Sequence, residues 1–216
     1  MTEEPERPAA YREPRQARSA ATLARVLRAA EEIASSAGLE EMTVSGVAQR
    51  AGVSVGTIYR RFEDKEQLIT ALSERMLERR EEFVAERLRQ AEPSLPGVMD
   101  AYAHALLQSF ADSSGLFPEL LRMRGTRSLD RGARTITELH RLLLAAAAPY
   151  ADQIRRSEPD RALDTAARAL LGACFHNSVR PDPAADEAAR RRYADELGDM
   201  ATTYLLTPDR RDGPEA

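Results

Sequence analysis

Twenty-three residues, Thr43 to Lys65 (TVSGVAQRAGVSVGTIYRRFEDK), leave this chain little freedom. Val44, Val47 and Ala48 recur at helical spacing, while Gln49 and Arg50 stay polar, so a short amphipathic helix is expected. Gly52 then stands where that helix must stop, since glycine alone takes a left-handed backbone without steric cost. Val53 plugs the corner. Ser54 is a good N-cap, its hydroxyl able to accept from a free amide of the following turn. The second helix is brief, running from Val55 to Tyr59, with Ile58 turned inward and small or hydrogen-bonding side chains turned outward. Two short helices joined by such a turn make a helix-turn-helix, whose second helix enters a DNA major groove.

At these residues a family resemblance becomes plain. The segment AGVSVGTIYRRFEDKEQLI resembles the DNA-binding signature of the TetR-type bacterial transcriptional repressors, and Ala20 to Leu72 resembles that family's N-terminal domain throughout. A capped turn, a glycine–threonine pair, an aromatic pair and a lysine–glutamate pair all fall in register. The remaining two thirds resembles the family in length and helical character only. The resemblance implies a DNA-binding N-terminal domain, a C-terminal domain with a small-molecule pocket, and dimers joined by their last helices. One departure is Gly46, inside the first short helix, where relatives usually carry a polar or charged residue. A glycine there costs about 1 kcal/mol against alanine; it either softens the helix or allows close packing.

Composition agrees with an all-α chain. Of 216 residues, 43% are hydrophobic and 31% charged, which is the balance of a globular protein with a sizeable core. Ala, Leu, Arg and Glu dominate and β-branched residues are sparse. The single cysteine, Cys174, forms no intrachain disulfide, and a reducing cytoplasm is the expected compartment. The acidic, proline-rich N-terminus lacks the apolar run of a secretory signal, and no stretch approaches membrane-spanning length. The net charge of −4 argues at first against DNA, but between Tyr11 and Lys65 nine basic and seven acidic residues leave +2, so the remainder carries −6. That asymmetry has the sign a DNA reader needs.

Taken in order, residues 1–17 read as a mobile arm, with Arg12, Arg15 and Arg18 either solvated or reaching toward phosphates or a minor groove. The helix-turn-helix domain spans 18–64 and opens with a long helix, Ser19 to Ala37, whose stripe is Leu23, Val26, Leu27, Ala30, Ile33 and Ala34. A linking helix follows over 65–90, with Asp64 as its cap and Gln67 three residues on. Residues 91–207 form a ligand-binding and dimerisation domain of four or five helices, expected at Gly97–Asp112, Pro118–Leu129, Arg131–Arg156, Asp160–Val179 and Ala184–Leu206. Residues 208–216 are a tail.

Candidate DNA contacts are Thr43, Ser54, Val55, Gly56, Thr57, Tyr59, Arg60 and Lys65. Thr57 and Ser54 offer hydrogen bonds, Val55 a thymine-methyl contact, and Gly56 close backbone approach. Arg60 reads a guanine or holds a phosphate. Thr43 caps its helix, bonds a phosphate, or does both. Tyr59 and Lys65 match family positions that hold phosphates. Lys65 is the only lysine in the chain, and its charge sits badly at a helix start, so a phosphate partner explains it as well as a solvated surface position does. Arg61 and Phe62 stand where relatives often carry His-Phe, and Phe62 reads as core.

In the C-terminal region, His104, Phe110, Phe117, Leu121, His140, Leu143 and His176 are candidates to line an effector pocket, against plain core packing for each. The mixed apolar and basic content suggests an organic effector, an anionic one among the options. For the dimer interface the candidates are Leu163, Ala166, Leu170 and Ala173 on one helix and Tyr193, Leu197, Met200 and Tyr204 on the last; the alternative is an ordinary monomer core. No metal or other cofactor is expected, because His104, His140 and Cys174 show no ligand spacing on one helix. An enzyme is not expected either: no nucleophile elbow, phosphate loop or metal motif is present, and Cys174 and His176, two apart on a helix, point in different directions. The expected partners are double-stranded DNA, a small organic effector and a second copy, with no membrane. The reading is therefore a dimeric, ligand-responsive repressor on a palindromic operator, with a constitutive DNA binder or an activator as alternatives.

Overall fold

Leu23, Val26, Leu27, Ala30 and Ala34, spaced three and four apart, line the buried side of the first helix in a computed structural model of the chain. The structure describes residues 17–111, 126–179 and 186–209. Among them stand eight α-helices, one 3-10 turn and no strand: α1 (Ala17–Ala37), α2 (Val44–Ala51), α3 (Val55–Tyr59), α4 (Lys65–Arg89), α5 (Leu95–Ala111), α6 (Thr126–Ala147), the 3-10 turn Ala148–Gln153, α7 (Pro159–Val179) and α8 (Glu187–Leu206). The all-α expectation therefore holds, and no helix is long and apolar enough to cross a membrane among the described residues. Two compact units divide the chain within α4, between Met76 and Leu77.

In the first unit, α1 packs on α2 and α2 on α3. Gly38 closes α1 with its amide on Ala34 O at 2.9 Å. Leu39 and Met42, on the short link to α2, are fully buried with Val47, Ile58, Phe62, Leu68 and Leu72. Periodicity alone does not reveal these two linker side chains, since they belong to no helix. Phe62 is 1% exposed, as its core reading required. An ion pair of 2.7 Å from Arg50 on α2 to Glu32 on α1 ties the pair at the rim.

The second unit is organised around α5, which packs mainly on α8 and also on α7. Met99, Tyr102, Ala103 and Leu106 from α5 meet Leu163, Ala166, Leu170 and Cys174 from α7 and Leu197, Ala201 and Leu205 from α8 in one core. Several helix limits differ from the sequence expectation. α5 begins at Leu95 rather than Gly97, because Ser94 Oγ accepts from Gly97 N at 3.1 Å and Pro96 sits in the first turn, where its missing N–H costs nothing. The break expected at Asp130 is absent: α6 runs from Thr126 to Ala147 without interruption. Its end comes nine residues before the expected Arg156, since Pro149 cannot continue an α-helix and the chain tightens to a 3-10 turn. α8 starts at Glu187, where Asp186 Oδ1 accepts from Ala189 N at 2.7 Å.

The chain after α8 is pinned back on the start of α7. Arg156 lies over the Tyr204 ring at 4.0 Å and donates through Nε to Tyr204 O at 2.6 Å. Asp209 accepts from Arg156 Nη1 at 3.0 Å, from Ser157 N at 2.9 Å and from Ser157 Oγ at 2.7 Å. These donors, the Ser157 amide first, hold the Asp209 carboxyl down at about 2. Because the folded value is depressed, the stabilisation is present above the ordinary aspartate range and fades as pH falls toward about 2. Relative to the intrinsic exchange rate at each pH, the Ser157 amide is therefore expected to be protected at neutral pH, to lose that protection as Asp209 protonates in acid, and to lack it at every pH in Asp209→Ala, as read by NMR.

Candidate nucleic-acid interface

Thr43 caps α2 in the expected way, its Oγ1 accepting from Gly46 N at 3.0 Å. Gly46 fits that cap: a Cβ there would stand 3.1 Å from Thr43 Oγ1. Of the two roles open to Gly46, close packing is the one the geometry supports. At the other end Gly52 takes φ 64° and ψ 42°, and Val53 N reaches back to Ala48 O at 3.0 Å, which satisfies the last carbonyls of α2. Ser54 is extended at φ −75° and ψ 150°, and its Oγ accepts from Thr57 N at 3.2 Å. Two caps and one left-handed residue thus set the angle between α2 and α3 within four residues of chain.

That angle decides which side chains of α3 face out. Ile58 is 1% exposed and anchors the helix, whereas Val55 is 39% and Tyr59 53% exposed. Ser54, Gly56 and Arg60 are exposed as well, and Thr57 is half-buried. Ser54 Oγ and Thr57 Oγ1 share a hydrogen bond at 2.9 Å, and Arg60 Nη2 donates to Thr57 Oγ1 at 3.2 Å. The sequence named these three residues separately; the structure joins them in one polar line that holds the Arg60 guanidinium against α3. Six of the eight candidate contacts, Ser54, Val55, Gly56, Thr57, Tyr59 and Arg60, stand on this one helix and its cap.

Thr43 and Lys65 stand apart from α3. The Thr43 hydroxyl is shared with Ser45 Oγ at 3.2 Å, which adds an exposed serine that sequence reasoning passed over because nothing in its spacing marks it. Lys65 Nζ donates to Glu40 O at 2.9 Å, so the lysine has a protein partner that neither sequence reading of it contained. An ammonium has three donors, and this bond positions the charge beside the loop between α1 and α2. Arg61 bonds the carbonyl and hydroxyl of Ser19, with the carbonyl at 2.9 Å, and serves to dock α1. Asp64 caps α4 through Gln67 N at 2.8 Å, while Gln67 Oε1 reaches back to Glu63 N at 3.0 Å, a capping box displaced by one residue. Arg12, Arg15 and the side chain of Arg18 lie outside the described residues.

The candidate effector residues are dispersed. Phe117 and Leu121 lie outside the described residues. Leu143 is fully buried core. Phe110 is 4% exposed, edge-on to Phe175 with 6.4 Å between centroids and beneath the Arg80 guanidinium at 4.1 Å. His104 is bound to Asp195, His140 lies 3.4 Å from Asp164, and His176 is exposed. None of these five lines the cleft of about 890 Å³ between α7 and α8, whose walls include Arg156, Arg161, Thr165, Met200, Thr203 and Tyr204. Arg80 is the residue that sequence reasoning missed: burial of its guanidinium lowers its pKa to about 10, yet it stands in an arginine-rich helix with nothing to single it out. Cys174 is buried, and burial pushes its thiol up to about 12, which suits core packing and not nucleophilic chemistry.

The interface candidates need correction. Leu163, Ala166, Leu170 and Leu197 are buried in the protomer's own core, because the inner faces of α7 and α8 are used against α5. Ala173, Tyr193 and Tyr204 are partly buried against that core, and only Met200, 49% exposed, points fully outward.

Two substitutions test the turn. In Gly52→Ala the added Cβ meets nothing within 4 Å, so its cost is that of the left-handed backbone alone, about 1–2 kcal/mol. Ser54→Ala removes a cap and is expected to cost about 1 kcal/mol. Urea unfolding of the full chain reads both.

The profile of the bacterial regulatory proteins of the tetR family matches residues 26–72, which span the buried face of α1, both helices of the turn and the start of α4. No curated protein matches the sequence. Solved structures do. Salmonella enterica GusR is 22% identical, with 86% of this chain and 96% of that one covered and a TM-score of 0.64. SmeT, the repressor of the Stenotrophomonas maltophilia multidrug efflux pump SmeDEF, is 20% identical over 91% of this chain and 96% of its own, with a TM-score of 0.58. A TetR-family transcriptional regulator from Streptomyces coelicolor is 27% identical over 86% and 99%, with a TM-score of 0.56. Residues 26–72 thus match the N-terminal helix-turn-helix domain of the tetR family, and the chain shares its all-helical fold with these solved structures over most of its length.

Proposed function

We propose that the chain is a dimeric, ligand-responsive repressor that binds a palindromic operator and is released by a small organic effector. The observation that supports this most directly is the α3 face. Val55, Gly56 and Tyr59 stand out from a helix anchored by buried Ile58, with Arg60 held beside them. A helix of five residues presents few side chains, so one copy reads few base pairs, and two copies about 34 Å apart would read two half-sites one turn of DNA apart. Thr43, Tyr59 and Lys65 would hold phosphates; the bond from Lys65 to Glu40 O leaves two donors on the ammonium for that purpose. Residues 18–64 would read DNA, 65–90 would link, and 91–207 would bind effector and pair.

The pairing surface would be the outward side of α7 and α8, since the inner side is spent on the protomer's core. Ala169, Gly172, Phe175 and Val179 are exposed on α7, and Met200 and Thr203 on α8. Nothing stands within 4 Å of a Cβ built on Gly172, so a mate's helix could approach closely there. An effector acts only through its different affinity for the DNA-competent and released states. The compartment that fits this work is the cytoplasm.

Footprinting on the DNA upstream of the chain's own coding sequence is the direct test. Protection of a palindrome with half-sites one turn apart is expected, and protection of no palindrome would sink the proposal. Lys65→Ala is expected to weaken operator binding and to make its salt dependence shallower by about 2, for one phosphate per protomer. Gly172→Arg is expected to give a monomer by sedimentation, with unchanged helical circular dichroism, and to lower operator affinity about tenfold or more. A Gly172→Arg chain that stays dimeric would rule out this face.

A further inference from the structure

Asp100 and His104 are four residues apart on α5, so their side chains leave the same helix face one turn apart. Asp195 reaches the same spot from α8. Its Oδ1 lies 2.7 Å from His104 Nε2, and Asp100 Oδ1 lies 3.5 Å from that nitrogen. One ligand atom from each of the three falls within 4.8 Å of both others, the one such trio among the described residues. Gly198, three residues past Asp195, explains the closeness of the helices. A Cβ there would come within 3.1 Å of Asp100 Cα and 3.3 Å of its Oδ1, so glycine is what lets α8 settle onto α5 at this point. Among the described residues, arginines on these surfaces pair elsewhere: Arg190 and Arg191 are held by Glu187. Among the described residues, the nitrogen that meets the two aspartates there is Nε2 of His104.

We propose that Asp100, His104 and Asp195 form a binding site for a divalent transition-metal ion, with zinc as the best fit. Ligand atoms about 2.0–2.1 Å from such an ion stand about 3 Å or slightly more from one another. The Asp100–His104 separation already suits this, and the His104–Asp195 contact has to open by a few tenths of an ångström. An imidazole beside two carboxylates favours zinc, nickel or copper over magnesium and calcium, which take oxygen ligands. Two carboxylate charges and a neutral imidazole offset the charge of the ion. Without metal, Nε2 of His104 shares a hydrogen bond with Asp195 Oδ1. With metal, Nε2 binds the ion and the imidazole proton sits on Nδ1, so no net proton is needed. Both aspartates are more than half exposed, which leaves the remaining coordination positions to water. The ion would fasten α8 to α5. Because the third ligand comes from a residue 91 positions along the chain, only the folded protein offers all three, and binding adds to stability by mass action.

Calorimetric titration of the tag-free, chelator-treated full chain with zinc chloride, and separately with magnesium chloride, tests this. One zinc per protomer is expected, with no magnesium heat. Melting temperature should rise by about 5 °C or more at a hundredfold excess of zinc over Kd. His104→Gln and Asp195→Asn should each weaken zinc about tenfold or more, while His140→Gln leaves the stoichiometry unchanged. Should either of the first two fail to fold, Asp100→Asn at the exposed edge is expected to show the same loss. No heat and no melting shift at millimolar zinc would mean a plain His–Asp ion pair and overturn the proposal. Zinc binding that survives His104→Gln combined with Asp195→Asn, or Asp100→Asn in their place, would overturn it too.

Discussion

A single left-handed residue carries the first unit. Gly52 at φ 64° reverses the chain between two helices of eight and five residues, and neither is long enough to be stable alone in water. Their stability comes from caps at Thr43 and Ser54 and from burying Val47, Ala48 and Ile58 as α2 packs on α1 and α3. The turn decides the direction of burial. With Ile58 committed inward, the helical period leaves Val55, Gly56 and Tyr59 no choice but to face out. The exposed face of α3 is thus the complement of a packing decision, and its polar line from Ser54 through Thr57 to Arg60 limits how the arginine can move.

The second unit follows a different logic. Its central helix, α5, is buried along most of its length, and α7 and α8 give their best apolar residues to it. Among the polar and charged residues left outside, the apolar ones are few: alanine, glycine, a phenylalanine, a valine and a methionine. Small residues such as Ala169 and Gly172 leave room for the close approach of another helix. At the α5–α8 crossing the smallest residue, Gly198, brings charged side chains together that a bulkier one would hold apart.

Charge in this protein is mostly local. Arginines pair with glutamates or aspartates three or four residues away on α6, α7 and α8, as Arg141 does with Glu138, Arg168 with Asp164 and Arg191 with Glu187. Such exposed pairs contribute little to stability, but they cancel charge where it arises. Net charge is for that reason a poor guide to any one surface, and the position of a few groups such as Arg60 and Lys65 says more. Half-buried ionic groups are fewer and more specific. Glu81 accepts from Arg131 at 2.7 Å and from Thr135 at 2.6 Å, joining the second half of α4 to α6.

Local signals were legible in the sequence because they are set by neighbours along the chain. Caps, the glycine stop, the helical periods and the inward place of Ile58 and Phe62 each depend on a handful of adjacent residues. The start of α5 was misplaced because Pro96 was read as a breaker, though it is harmless in a first turn, and the end of α6 because Pro149 was passed over. Contacts between distant residues were beyond reach. Nothing in the sequence marks Lys65 for Glu40 O, Asp195 for His104, or Arg80 for burial over Phe110, because a side chain's partner depends on how helices cross. Apolar periodicity likewise says that a face of α7 is buried without saying by what. The sequence alone determined an all-helical chain with a capped, outward-facing reading helix. Only tertiary packing decided which apolar stripes are spent inside the protomer and which charged side chains meet, since both follow from the close approach of segments far apart in the chain.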